Sequence, residues 1–188
     1  MLNTILGSLS SGVTVAASSY ESIATVNVTS NVPNVEFTSI PATYTHLQIR
    51  AIGRSTRTPE NNIALNMQFN GDTGSNYSWH RLDGDGSTAS SGAGTSQTSI
   101  IVDRFTAAGA SASQFGAFVL DILDYANTNK YKTTRNLGGY DNNGNGLITL
   151  GSGNWRSTSA ITSIKLIDRS GNNLIQYSQF ALYGIKGA

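Results

Sequence analysis

Short runs in which apolar and polar residues alternate with a period of two cover most of this chain, the pattern of strands with one buried and one wet face. The clearest run sets Ile63, Leu65, Met67 and Phe69 against Ala64, Asn66 and Gln68, and Asn70-Gly71-Asp72 closes it with a turn signal. Leu47, Ile49 and Ala51 likewise face away from His46, Gln48 and Arg50. Ile23, Thr25 and Asn27 oppose Ala24, Val26 and Val28, and Val35 with Phe37 makes a shorter segment. Tyr77 to Leu82, Thr98 to Val102, Phe115 to Leu123, Tyr131 to Tyr140, Leu147 to Leu150, Ile161 to Ile167 and Gln176 to Ile185 bring the expectation to about ten strands. The last run has large apolar residues in both alternation sets. Such a strand is buried on both faces, or buried on one and paired with a neighbouring subunit on the other.

No long helical periodicity separates these runs, and no fixed repeat relates them. The connectors Ser87 to Thr95 and Ala107 to Ser113 are built of small residues and read as surface loops. The expected fold is all-β: an antiparallel β-sandwich, jelly-roll-like, with an extended N-terminal arm. The uncharged stretch from Gly7 to Ser19 divides the 188 residues into an arm or anchor, 1–19, and a sandwich domain, 20–188. Leu2, Ile5, Leu6 and Leu9 would share one face of a short helix, marginal alone in water and ordered against a partner. This segment has no positive leader region and no apolar run of spanning length, so neither a signal peptide nor membrane insertion is expected.

Composition narrows the setting. Charged residues make up 12% of the chain, about half the proportion usual in soluble domains, so the surface is kept wet by neutral hydroxyls and amides. A net charge of +1 with scattered Lys and Arg gives no footprint for nucleic acid. The absence of cysteine removes disulfides, thiolate metal sites and a Cys nucleophile.

Asp141-Asn142-Asn143-Gly144-Asn145-Gly146 matches the first half of a calcium loop, but Ser152 stands where a bidentate Glu belongs. It reads as a tight hairpin loop, with Asp141, Asn143 and Asn145 kept as candidate cation ligands; no cofactor is expected. Trp79, His80, Arg81, Asp83 and Asp85 combine rings with carboxylates as glycan-binding surfaces do, and they equally make an ordinary strand end and turn. Two carboxylates in one Gly-rich turn do not establish the opposed pair a glycosidase needs. Neither histidine lies in a nucleophile-elbow context, so no enzymatic activity is expected. Trp79, Trp155 and the tyrosines could line a groove, or cap the core and fill subunit contacts.

Four segments taken together carry a resemblance: Tyr20-Glu21-Ser22-Ile23-Ala24-Thr25, the run from Phe37 to Arg50 through Ile40-Pro41-Ala42, Phe69-Asn70-Gly71-Asp72-Thr73-Gly74-Ser75-Asn76-Tyr77, and Gln176 to Lys186. From Tyr20 to Lys186 the chain resembles small β-rich virion structural proteins of tailed bacteriophages, of the capsid-decoration or fibre-tip type. The resemblance implies a structural role on the virion and supplies no catalytic residues; the expectation built on it is a non-enzymatic protein exposed on the virion, assembled in the bacterial cytoplasm as a homo-oligomer, a trimer, and attached through its N-terminal arm to other virion proteins such as the major capsid protein. Capsid decoration is the first expectation, since a single domain with a short arm has no shaft. A tail-fibre or tailspike-type module recognising host surface glycan is the alternative.

Overall fold

A computed structural model describes residues 18–187, the side chain of Asp103 excepted, so Leu2, Ile5, Leu6 and Leu9 lie outside the described residues. The chain forms twelve strands: β1 Tyr20–Asn27, β2 Asn34–Phe37, β3 His46–Gly53, β4 Asn62–Phe69, β5 Tyr77–Gly84, β6 Ala89–Gln97, β7 Ile100–Thr106, β8 Gly116–Leu123, β9 Lys132–Tyr140, β10 Leu147–Trp155, β11 Ile164–Asp168 and β12 Gln179–Ile185. They build an eight-stranded sheet, order β1-β12-β3-β8-β9-β10-β5-β6, and a four-stranded sheet, order β2-β11-β4-β7, with antiparallel pairing throughout. Setting aside the hairpins β5–β6 and β9–β10 leaves β1-β12-β3-β8 over β2-β11-β4-β7. In that eight-strand frame every consecutive pair of strands lies in opposite sheets except β4 and β7, which pair within the small sheet, and this is jelly-roll topology. Both additional hairpins extend the same sheet beyond β8.

The alternation read from the sequence decides which side of each strand is buried. Leu47 and Ile49 of β3, Phe118, Leu120 and Ile122 of β8, and Phe180 and Leu182 of β12 point inward from the large sheet. They meet Val35, Phe37, Ile63, Leu65, Met67, Phe69, Ile164 and Leu166 of the small one. Phe105 joins the layers through Phe118 and Phe180, at ring separations of 5.8 and 6.0 Å. The two-sided apolar run at the C-terminal end is β12, flanked by β1 and β3. On its outer side Tyr183 stacks on Tyr20 at 4.8 Å, and the Arg50 guanidinium lies 5.5 Å from the Tyr20 ring.

Residues 87–95 depart from the expectation of a surface loop. Most of that segment lies in β6, an edge strand paired with β5 over Ala89–Gln97. Its Ser, Gly and Ala residues carry no apolar alternation because strand β6 covers no core; backbone pairing alone defines it. β7 also starts two residues later than expected and runs on to Thr106. The connector Ala107 to Ser113 is a loop, but it is organised around a buried cation. Arg54, 6% exposed, donates to the carbonyls of Ala108, Ala110, Ser111 and Gln114. Lys132 is treated similarly: it is fully buried, and its Nζ donates to the carbonyls of Asn127, Lys130 and Thr158. Burial pushes both cations below their ordinary pKa range.

At the β4–β5 turn Trp155 Nε1 donates to Asp72 Oδ2 at 2.7 Å, and Tyr77 Oη donates to the Asp72 carbonyl at 3.0 Å. Burial pushes the Tyr77 phenol up to about 12. Desolvation works to raise the Asp72 carboxyl, but hydrogen bonds from Trp155, Asn76 and Gly74 outweigh it and hold it below the usual carboxylate range. A carboxyl whose folded pKa lies below its unfolded value stabilises the fold above the unfolded value and loses that contribution as pH falls through the folded one. Urea midpoints measured from about pH 6 down to about pH 3 are therefore expected to fall on the acid side, and less steeply in Asp72→Asn; identical slopes in the two proteins would remove Asp72 as a cause.

Where the large sheet packs against β7, a Cβ on Gly153 would lie 2.5 Å from Ile100 Cγ2 and 2.6 Å from Thr134 Oγ1. Gly153→Ala is expected to cost about 1–3 kcal/mol, seen as a lower urea midpoint at unchanged m-value.

Candidate functional site

Beyond β8 the large sheet has no second strand of the small sheet to cover, and it wraps around β7 instead. β7 pairs with β4 and also lies against β5, β8, β9 and β10. Its consecutive residues Ile100, Ile101 and Val102 are all buried, so both faces of the strand are covered. The wrap leaves a cleft of about 810 Å³ between the inward side of β5–β6 and the β4–β7 pair. Tyr140 and Asn145, from the β9–β10 hairpin, and Arg57, Glu60 and Arg169, from loops, complete its rim.

This cleft gathers part of the residue set expected from sequence. Trp79 and Arg81 line it, with the Arg81 guanidinium 5.5 Å from the Trp79 ring. Gly94 of β6 is packed so closely that a Cβ there would lie 2.7 Å from the indole, which ties the small-residue composition of β6 to the placement of Trp79. Asp83 lies on the same side of β5, 4% exposed. Its Oδ2 accepts from Arg81 Nε at 2.7 Å, its Oδ1 accepts from Thr149 Oγ1 at 2.9 Å, and Arg104 Nε stands 3.8 Å away. Asp83 holds arginines in place. His80 projects from the opposite face of β5, beside Leu82, Arg135 and Leu150. Asp85 sits in the β5–β6 turn, where its Oδ1 accepts from the Ser87 and Thr88 backbone N–H groups, at 2.9 and 2.6 Å, and these hold its carboxyl below the usual range.

Tyr140 was among the tyrosines that could line a groove, whereas Arg104, Arg169 and Glu60 were not singled out from the sequence because they arrive from three separate segments. One signal was available: Arg104 interrupts the apolar run from Ile100 to Phe105. Burial pushes Arg104 below the ordinary arginine range, and the Arg81 and Arg169 guanidiniums push the same way against Asp83. Arg57 is paired with Glu60 at 2.8 Å.

Asp141–Gly146 forms the turn of the β9–β10 hairpin. Asp141 Oδ1 accepts from the Asn143 N–H at 2.7 Å, and Asn143 and Gly144 take left-handed backbone at φ 51° and 97°. Asn145 lines the arginine cleft. Among the described residues, no three His, Cys, Asp or Glu side chains gather as a metal site would require.

The other face of the same strands has a different character. Register carries Val119 of β8 to Leu137 of β9, Leu150 of β10 and Leu82 of β5, a continuous row across four strands. Ile52 and Ile148 lie in the next row, each aligned with the Ala117–Gly139 pair. All six are exposed, from 39% for Val119 to 59% for Ile148. Six half-exposed aliphatic side chains present on the order of 500 Å² in one band, at the upper end of the largest patch a monomer shows. Asp121 and Arg135, beside the band, pair with each other at 3.3 Å.

Comparison with family models, with curated proteins and with solved structures finds no match for this chain. The geometry of cleft and band therefore carries the functional reading. For the cleft, removing the carboxylate beneath the arginines in Asp83→Ala leaves Arg81 and Arg104 crowded without a counter-charge. It is expected to cost about 2–4 kcal/mol in chemical denaturation, and a loss below about 1 kcal/mol would mean the arginines are held by other contacts.

Proposed function

We propose that this chain is a non-enzymatic structural protein of a tailed-phage particle, a capsid-decoration protein that associates as a homotrimer through the outer face of its large sheet and attaches by its N-terminal arm. The observation that carries the assembly step is the apolar band from Val119 to Leu82, set in register across four strands of the outer face. A second copy is the occupant this face fits best. Within the face Asp121 and Arg135 compensate each other, Arg50, aligned with Val119 at the end of the row, lies over the Tyr20 and Tyr183 rings, and association removes aliphatic surface from water at about 25 cal/mol per Å².

The jelly-roll frame and the 12% charge content support a display role on a crowded particle, where neutral hydroxyl and amide side chains keep the surface hydrated. Attachment through Leu2, Ile5, Leu6 and Leu9 is supported by their spacing along one face of a short helix.

Light scattering on the full chain is expected to give a mass three times that of the 19.8 kDa protomer. The double substitution Leu137→Arg and Leu150→Arg should shift it to monomer with an unchanged β-sheet circular dichroism spectrum. Antibody labelling of intact particles should find many copies over the shell. A wild-type monomer at every concentration, or label confined to the tail, refutes this reading.

A further inference from the structure

We propose that the cleft between β5–β6 and β4–β7 binds a carboxylated saccharide, with Arg104 and Arg169 taking the carboxylate while Trp79 and Tyr140 wall the sugar ring. Four arginines, Arg57, Arg81, Arg104 and Arg169, border one cavity in a chain that has 12 Lys and Arg in all. Two of them are matched: Arg57 by Glu60 and Arg81 by Asp83. Arg104 stands 3.8 Å from an Asp83 oxygen that already accepts from Arg81, beyond hydrogen-bond distance, and its buried Nε has no hydrogen-bond partner among the described residues. Arg169 donates its backbone N–H to the Ala64 carbonyl, and its guanidinium forms no ion pair among the described residues while it lines the cleft.

Guanidinium groups held together against their own repulsion recruit an anion, and a planar carboxylate matches their fork geometry. The rest of the lining selects among anions. An inorganic anion is served by donors alone, whereas this cleft also offers Glu60 and the amides of Asn61 and Asn145, which suit hydroxyl groups. Trp79 and Tyr140 are each about nine-tenths buried. Both line the cleft and are held rigidly by the surrounding packing, a fixed place for the C–H side of a ring, and Asn62 Nδ2 donates to the Tyr140 hydroxyl at 3.0 Å. The volume of about 810 Å³ accommodates more than one sugar unit. Trp79 and Arg81 face the cleft while His80 and Leu82 lie on the outer face of β5, so saccharide and neighbouring subunit are bound on opposite sides of one strand.

The test is a titration of the full chain, followed by calorimetry and by the Trp79 indole and Tyr140 NMR signals. The probes are oligosaccharides of galacturonate, glucuronate and N-acetylneuraminate, their methyl esters, and inorganic sulfate. At least one acidic oligosaccharide is expected to bind and perturb both aromatic signals, with its neutral ester weaker by about tenfold or more. Arg104→Gln and Arg169→Gln should each weaken binding about tenfold, while Arg135→Gln on the outer face leaves it unchanged. Arg169 is exposed, so its variant carries the test even where Arg104→Gln fails to fold. Equal binding of acid and ester, binding unchanged in Arg169→Gln, sulfate as tight as the sugar, or no perturbation by any of the three acids at millimolar concentration overturns the proposal. A monomeric protein that still binds the acid would overturn only the assembly reading.

Discussion

Eight strands face four, and the rest of this molecule follows from that mismatch. In the eight-strand jelly-roll frame each inward face meets an inward face, and the core is a conventional layer of aliphatic and aromatic side chains. The two additional hairpins enlarge one sheet without enlarging its partner, leaving β9, β10, β5 and β6 with inward faces and no opposing strands. A sheet twists and coils, so the extension closes around the last strand of the small sheet. β7, nominally an edge with unpaired backbone groups, becomes a strand enclosed on both faces.

The enclosure dictates unusual inward residues. Beneath the extension only one strand is available, so β9 and β10 present Lys132, Thr134, Asn136, Thr149, Gly151 and Gly153 where β3 and β8 present Leu47, Ile49, Phe118, Leu120 and Ile122. Glycine lets Ile100 approach the sheet, and the lysine is satisfied by three carbonyl groups. Charge is scarce overall, yet much of it is placed where it organises structure: Arg54 gathers a loop, Lys132 closes the end of β9, and Asp83 holds two arginines together. Part of the small complement of charge is thus held at buried or cleft-lining positions.

What could be read from the sequence follows the same division. β3, β4, β8 and β12 were legible because each covers the core and alternation records burial. β6 was not, since an edge strand of Ser, Gly and Ala owes its identity to backbone pairing with β5. Of the expected glycan set, Trp79, Arg81 and Asp83 share a side of β5 because residues two apart in a strand do so; His80, one position out of phase, is sent to the other face by the same rule. Arg104 and Arg169 were invisible as cleft residues because the curl that brings β7 and the β11 turn opposite β5 is a property of the whole sheet. The Asp141–Gly146 turn was readable from Asn and Gly alone, since its geometry is local.

The period of two also explains how one thin element can serve two purposes. Along β5, Trp79 and Arg81 line the arginine cleft with Asp83 buried on the same side, and His80 and Leu82, in between, belong to the outward face with the aliphatic band. A one-residue slip of β5 against β10 would send the arginine outward and bury Leu82 against the cleft, so register is held from both sides at once. The bond that Thr149 Oγ1 donates to Asp83 Oδ1 joins directly paired residues of β5 and β10 and closes only in the observed register. A buried carboxylate that accepts from Arg81 on one oxygen and from the neighbouring strand on the other thus couples the cleft to the sheet alignment, and through that alignment to the apolar row on the far face.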